Sequence, residues 1–88
     1  MVNYSIVVTK QAAKESKNLV SAGLKQKVDS LLKIIAEDPF APYPTYEKLS
    51  GEMKGYYSRR INIQHRLVYQ VFEEEKIVKI LRMWTHYE

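Results

Sequence analysis

Residues 56–72 read YYSRRINIQHRLVYQVF, and this stretch decides the fold of the chain. Two runs rich in aromatic and β-branched residues, 56–61 and 65–72, are typical of strands. Only three residues separate these runs, a length that suits a hairpin loop. A third run of the same kind, 77–87, follows the short polar segment 73–76. The sequence therefore predicts an antiparallel sheet in the last third of the chain.

Side-chain alternation predicts which residues share a face of this sheet. Because successive side chains of a strand point to opposite faces, Leu67 and Tyr69 lie on one face and Arg66 on the other. The face of Leu67 is the more apolar and should pack under helices, so Arg66 points to the open face. A three-residue loop also places Arg60 opposite Arg66, with Cβ atoms roughly 5 Å apart. Like charges facing each other are unfavourable unless an anion bridges them, so this arrangement predicts a bound anion.

The N-terminal half predicts one strand and two helices. Residues 3–9 alternate as a strand does, and Thr9 is a suitable N-cap for a helix that begins at Lys10. Gly23 interrupts that helix, a second apolar stripe follows, and Pro39 ends it. A short strand or turn is predicted at 46–49. The expected fold is therefore α+β, in the order β-α-α-β-β-β-β, with an antiparallel sheet and a helical hairpin on one face.

Composition narrows the classes of protein to which the chain can belong. The 88 residues fit one domain, 1–88, and include no cysteine, so disulfides and thiolate metal sites are excluded. With only two histidines, a structural zinc motif is excluded too, and we expect neither a metal nor a cofactor. No signal peptide and no membrane-spanning run is present in the sequence, so we expect a soluble, cytoplasmic protein.

The net charge is +4, and the distribution of the charges along the chain is more informative about binding partners than the total. Residues 39–70 hold five Lys and Arg against two Glu, and three of the five are arginines within eight positions. A clustered basic strip of this kind suits a polyanion. A solvated basic surface explains the charge equally well.

Four residues have the side chains that RNA cleavage through the 2′-OH requires. A base takes the 2′ proton, cations stabilise the charge on the phosphorus, and an acid protonates the leaving 5′ oxygen. Glu47 is the candidate base, Arg60 and Arg66 are candidate phosphate clamps, and His86 is the candidate acid. Tyr87 is placed to bind phosphate or to stack on a base.

Ordinary structural roles are the alternative for several of these positions. Glu47 is also explained as a surface carboxylate, and Arg60 and Arg66 as residues that keep a sheet edge soluble. We expect Arg59 to be an exposed strand arginine, structural rather than catalytic. His65 is on the core side of its strand and is expected to be a hydrogen-bonded structural histidine.

The motifs SRRI at 58–61, HRLVY at 65–69 and HY at 86–87 closely resemble those of YoeB/Txe toxins of the RelE-like superfamily. Gly55 with its two following tyrosines, and the Glu47-Lys48-Leu49 segment, extend the resemblance over most of residues 44–87. The resemblance implies a microbial-ribonuclease-like fold and ribosome-dependent, metal-independent cleavage of mRNA. The product would carry a 2′,3′-cyclic phosphate.

The same resemblance implies roles for individual residues. Glu47 would be the general base, His86 the general acid, Arg60 and Arg66 the phosphate stabilisers, and Tyr87 the residue that completes the site. It also implies a homodimer that is neutralised by an antitoxin of the YefM type.

The sequence departs from the family pattern at two positions. Ser50 stands where the family often has lysine, and Glu88 extends beyond the usual His-Tyr end. Lys48, Lys54 and Arg59 are the further cations that we consider for phosphate binding.

Two other functions are compatible with such a chain. A non-nucleolytic toxin on the same scaffold, such as a ParE-type gyrase inhibitor, would lack the acid–base set. A plain RNA-binding module would use the basic face and the aromatics for binding without cleavage.

Overall fold

The computed structural model describes residues 3–42, 45–49, 55–62 and 65–83. Two helices and five strands follow in the predicted order, so the α+β architecture is confirmed. Neither helix in this part of the chain is long and apolar enough to cross a membrane. The elements are β1 (Ser5–Val8), α1 (Lys10–Ser21), α2 (Lys25–Glu37), β2 (Tyr46–Lys48), β3 (Tyr56–Arg60), β4 (Arg66–Phe72) and β5 (Ile77–Arg82).

The five strands form one sheet in the order β1-β5-β4-β3-β2. The three pairings among β2, β3, β4 and β5 are antiparallel, as expected. The pairing of β1 with β5 is parallel, with Ser5 opposite Ile77, so the sheet is mixed rather than antiparallel throughout. A parallel pair needs a long crossover connection, and the helical hairpin is the first part of that connection.

Local sequence signals set the limits of both helices. The Thr9 hydroxyl accepts a hydrogen bond from the Ala12 backbone N–H at 3.1 Å, which caps the start of α1 as predicted. Gly23 has a φ of +77°, a conformation that glycine adopts without strain, and it separates α1 from α2. Asp38 ends α2 in extended geometry, as is usual for a residue before proline.

The helices cover one face of the sheet. The apolar sides of α1 and α2 pack on Leu67, Tyr69, Val78 and Ile80, which are completely buried. Burial of each such aliphatic side chain stabilises the fold by roughly 1.5 to 3 kcal/mol. The predicted assignment of the Leu67 and Tyr69 face to the core is therefore confirmed, and the opposite face of the sheet carries Arg66.

The β3–β4 hairpin has the predicted register. Arg60 is opposite Arg66, and the backbone N–H of Ile61 donates to the carbonyl of His65 at 2.8 Å. The side-chain oxygen of Asn62 accepts from the backbone N–H of His65 at 2.7 Å. These bonds close the hairpin at the end where the two arginines stand.

Candidate active site

A cleft of about 620 Å³ is lined by open-face residues of the strands β2, β3 and β4, and one residue near the start of α2 borders it. Both arginines of the hairpin register and Glu47 of β2 line it. We call it the open-face cleft. Its lining residues are Lys27, Thr45, Glu47, Ser58, Arg60, Ile61, Asn62 and Arg66.

Glu47 and Arg66 meet across the middle strand of this face. Glu47 is opposite Ser58 of β3, whereas Arg66 belongs to β4, so the two backbones are roughly 10 Å apart. The long Arg66 side chain spans that distance, and its Nη1 lies 3.2 Å from Oε1 of Glu47. The Glu47 side chain is 61% exposed, so the ion pair adds only about 0 to 1 kcal/mol to stability. A contact this weak does not hold the sheet together, but it does place a carboxylate beside a guanidinium.

Positive charge exceeds negative charge in the open-face cleft. Arg60 and Arg66 are side by side, and Lys27 of α2 joins them, whereas Glu47 is the one acid among the described lining residues. Facing cations repel each other, so the cluster costs free energy until an anion enters. A phosphate-sized anion would therefore bind here with a favourable electrostatic contribution.

Ser58 contributes a buried hydroxyl to the same cleft. The residue is only 1% exposed, and among the described residues its Oγ has no hydrogen-bond partner. A buried hydroxyl without a partner costs about 1 to 3 kcal/mol. A ligand oxygen in the cleft would accept a hydrogen bond from Ser58 only after the residues that cover the Oγ shift, because this atom is closed to solvent.

Arg59 does not lie in the cleft, and the prediction that it is exposed is wrong. Its side chain is on the covered face and is 1% exposed. The guanidinium donates to the carbonyls of Pro39 and Ala41 at 3.1 and 3.0 Å and to the Tyr69 hydroxyl at 3.1 Å. Arg59 Cζ also lies 5.1 Å from the centroid of the Tyr46 ring. Arg59 thus ties the segment after α2 to the sheet, and it is not among the residues that line the cleft.

Burial also affects the tyrosine in this cluster. Tyr69 is completely buried, and its hydroxyl donates to the Pro39 carbonyl at 2.8 Å. Burial raises the pKa of Tyr69 because it disfavours the charged tyrosinate, and the nearby Arg59 charge offsets part of the rise.

The remaining predicted residues are distributed as follows. Lys48 is exposed and follows Glu47 in β2, so alternation places it on the other face, and it does not line the cleft. His65 is buried, as expected for the core side of its strand, and its backbone N–H donates to the side-chain oxygen of Asn62. His86, Tyr87 and Lys54 lie outside the described residues, as do Ser50 and Glu88.

Ser58 and Lys27 are two of the cleft residues that were not predicted from the sequence. Ser58 precedes Arg60 by two positions in the same strand, so alternation alone puts both on the open face. Lys27 gave no such signal, because its position depends on where the start of α2 packs relative to β3.

Comparison with known proteins gives a match to one family over most of the chain. The family model described as YoeB-like toxin of bacterial type II toxin-antitoxin system matches residues 14–87. The match therefore includes most of α1 and all of α2, in addition to the motifs of residues 44–87. Toxin YoeB of Synechocystis sp. is 38% identical over 65 residues, which cover 74% of this chain and 73% of the relative. Toxin RelK of Mycobacterium tuberculosis is 40% identical over 62 residues, which cover 70% of this chain and 71% of the relative.

Solved structures share the fold. A YoeB/ParE toxin from Agrobacterium tumefaciens has a TM-score of 0.85 at 29% identity, covering 94% of this chain and 99% of its own. The toxin in a YoeB-YefM complex from Staphylococcus aureus has a TM-score of 0.80 at 34% identity, covering 96% of this chain and 98% of its own. A YoeB dimer from the same organism has a TM-score of 0.81 at 34% identity, with coverage of 97% and 99%.

Proposed function

The chain belongs to the YoeB-like toxin family of bacterial type II toxin–antitoxin systems, and on this basis we propose that it is an endoribonuclease that cleaves mRNA on the ribosome. The observation that carries the proposal is the contact between Glu47 and Arg66 in a cleft that also presents Arg60 and Lys27. A carboxylate and several cations at one spot are what cleavage through the 2′-OH requires.

In the proposed reaction the Glu47 carboxylate takes the proton of the 2′-OH. The 2′ oxygen then attacks the adjacent phosphorus, and the bond from phosphorus to the 5′ oxygen breaks. The products are a 2′,3′-cyclic phosphate and a 5′-hydroxyl end. Proton transfer by a positioned side chain contributes typically 10²- to 10⁴-fold to such a rate.

Arg60 and Arg66 would stabilise the negative charge that builds on the phosphate oxygens. A guanidinium has five N–H donors, so Arg66 can keep one on Glu47 and direct others at phosphate. The two guanidinium groups supply the positive charge in this scheme, and no metal ion takes part in it.

His86 and Tyr87 are proposed on the resemblance of the HY motif. His86 would protonate the leaving 5′ oxygen, and Tyr87 would contact phosphate or stack on a base.

The relatives suggest the partners. The Staphylococcus aureus structures include a YoeB-YefM complex and a YoeB dimer, so we propose a YefM-type antitoxin and a homodimer for this chain as well. Release from the antitoxin would allow cleavage of mRNA in the cytoplasm and so inhibit translation.

Primer extension on mRNA with purified ribosomes tests the function. The intact protein should produce new 5′ ends, and Glu47→Gln should reduce the rate by roughly 10²- to 10⁴-fold while the fold is retained. Glu74→Gln is the matched control, because Glu74 is an exposed turn residue and its removal changes charge by the same amount. Intact mRNA together with inhibited DNA supercoiling would contradict the nuclease and identify a gyrase inhibitor instead.

A further inference from the structure

A second groove continues from the open-face cleft along α2. Its volume is about 420 Å³, and it shares Lys27, Arg60 and Ile61 with the open-face cleft. We call it the α2 groove. Since the two spaces have three lining residues in common, a strand that leaves the cleft at this end enters the α2 groove.

The floor of the α2 groove is aliphatic. Leu31 and Ile61 are 6% and 4% exposed, and Ile34 is half-buried beside them. Gln26 and Ser30 add one amide and one hydroxyl at positions where both side chains are exposed. An apolar surface with neutral donors and acceptors at its rim suits the face and the edge of a nucleobase.

The charge of the α2 groove is entirely positive among the residues that line it in the described structure. Lys27 and Arg60 are its ionised groups, and both stand at the boundary with the open-face cleft. The nearest acid of α2 in sequence, Asp29, is paired with Lys25 at 2.8 Å and does not line the groove. Two cations at the boundary between the two spaces would bind a phosphate that connects their occupants.

We propose that the α2 groove binds a third nucleotide, adjacent to one of the two that flank the scissile phosphate, and that Lys27 and Arg60 grip the phosphate joining this third nucleotide to the open-face cleft. The inference rests on the proposed function, because it requires RNA in the open-face cleft. RNA is favoured over an acidic peptide because the groove combines cations at one point with an apolar floor that continues from a phosphate-binding cleft.

Binding of short 2′-O-methyl oligoribonucleotides tests this proposal, since methylation blocks the attacking 2′ oxygen. A dinucleotide has only the scissile phosphate, and trinucleotides extended at the 5′ or the 3′ end add one more. Titrations followed by NMR at several salt concentrations give the dissociation constants. One of the two trinucleotides should bind tighter than the dinucleotide, which also shows on which side of the scissile bond the groove lies.

Lys27→Gln should remove most of the gain from the added phosphate. We expect roughly two- to fivefold weaker binding of the favoured trinucleotide and a smaller change for the dinucleotide. The slope of log K against log salt concentration should fall by about 0.7 for the trinucleotide, the value for one phosphate contact on a single strand. Lys33→Gln is the matched control, because Lys33 is exposed on the same helix and lines neither space.

Three outcomes overturn the inference: no gain from either added nucleotide, equal losses in the Lys27 and Lys33 variants, or binding of an oligoglutamate but not of longer RNA. The ribosomal cleavage assay separates these from failure of the proposed function. If the protein cleaves mRNA and Lys27→Gln changes the rate no more than Lys33→Gln does, the nuclease function is supported and the binding of a nucleotide in the α2 groove is refuted. A gain with length that depends on Lys27, without any cleavage of mRNA, supports the groove and refutes the nuclease.

Discussion

Arg59 and Arg60 are consecutive residues of β3, yet they belong to two different regions of the molecule. Arg59 points to the covered face, where it is 1% exposed and donates to two carbonyls and a tyrosine hydroxyl. Arg60 points to the open face, is exposed, and makes no ion pair within the described part of the chain. Two side chains of the same type therefore differ in role: the arginine on the covered face stabilises the fold, and the arginine on the open face has its charge available for a ligand.

The comparison gives a criterion for telling a ligand-binding cation from a structural one, and it discriminates better than charge or sequence position does. A cation whose donors are all directed at backbone carbonyls has little left to offer a substrate, whereas a cation that faces another cation gains from an anion. By this criterion Arg60, Arg66 and Lys27 are the residues of the proposed binding surface. Arg59 sets the position of the segment from Pro39 to Ala41, which precedes the strand that carries Glu47.

The largest effect is expected for loss of a charge on the open face. Arg60→Gln should lower the rate of mRNA cleavage by roughly 10²- to 10³-fold, because one donor to the developing phosphate charge is removed. The free energy of unfolding should stay within about 0.5 kcal/mol of the original value or rise, since repulsion from Arg66 is relieved. Cleavage assays and urea unfolding of the same preparation measure both quantities. A destabilised protein with an unchanged rate would assign Arg60 a structural role.

The reverse result is expected on the covered face. Arg59→Met should destabilise the protein by about 2 to 4 kcal/mol, because the carbonyls of Pro39 and Ala41 and the Tyr69 hydroxyl lose a charged donor in a buried position. Urea unfolding measures the loss, and Arg59→Lys should show a smaller one because one ammonium replaces some of the donors. The folded fraction should retain most of its cleavage rate. A fully stable but inactive Arg59→Met variant would place Arg59 in substrate binding and erase the contrast between the faces.

Local sequence rules predicted the parts of the site that depend on strand geometry. Loop length and alternation gave the Arg60–Arg66 register and the open face, and a Ser/Thr cap gave the start of α1. The same alternation places Arg59 opposite Leu67 on the covered face. The rule that correctly placed Arg60 therefore also predicts that Arg59 is buried.

Other features required the tertiary structure. The parallel pairing of β1 with β5 joins the first strand to the last, and neither a turn nor a short loop signals it. Lys27 reaches the open-face cleft only because the start of α2 packs near the end of β3, and no pattern within α2 indicates that position. Long-range placement of helices was therefore the information that the sequence did not provide.

The stabilising contribution of the covered face should also depend on pH. Burial raises the pKa of Tyr69 above the ordinary value of 10.0, so the neutral phenol is favoured in the folded state. Its stabilising contribution is complete below pH 10 and is lost as the pH rises through the folded-state pKa. Tyr69→Phe should therefore cost about 1 kcal/mol at neutral pH, for the lost bond to the Pro39 carbonyl. The difference between the two proteins in urea unfolding should shrink above pH 10, and a difference that grows there would contradict this account.

Ser58 is as buried as Arg59, yet it lines the open-face cleft, and its hydroxyl has no hydrogen-bond partner among the described residues. It therefore tests whether burial or the presence of hydrogen-bond partners distinguishes a structural side chain from a functional one. Ser58→Ala should leave the free energy of unfolding unchanged or raise it by about 0.5 kcal/mol, since an unsatisfied buried hydroxyl is removed. The cleavage rate should fall by about threefold, the lower end of what one hydrogen bond to a substrate oxygen contributes. Stopped reactions and thermal unfolding measure the two effects. Destabilisation by more than 1 kcal/mol with an unchanged rate would mean that the hydroxyl supports the sheet, and burial alone would then suffice to tell structural from functional side chains.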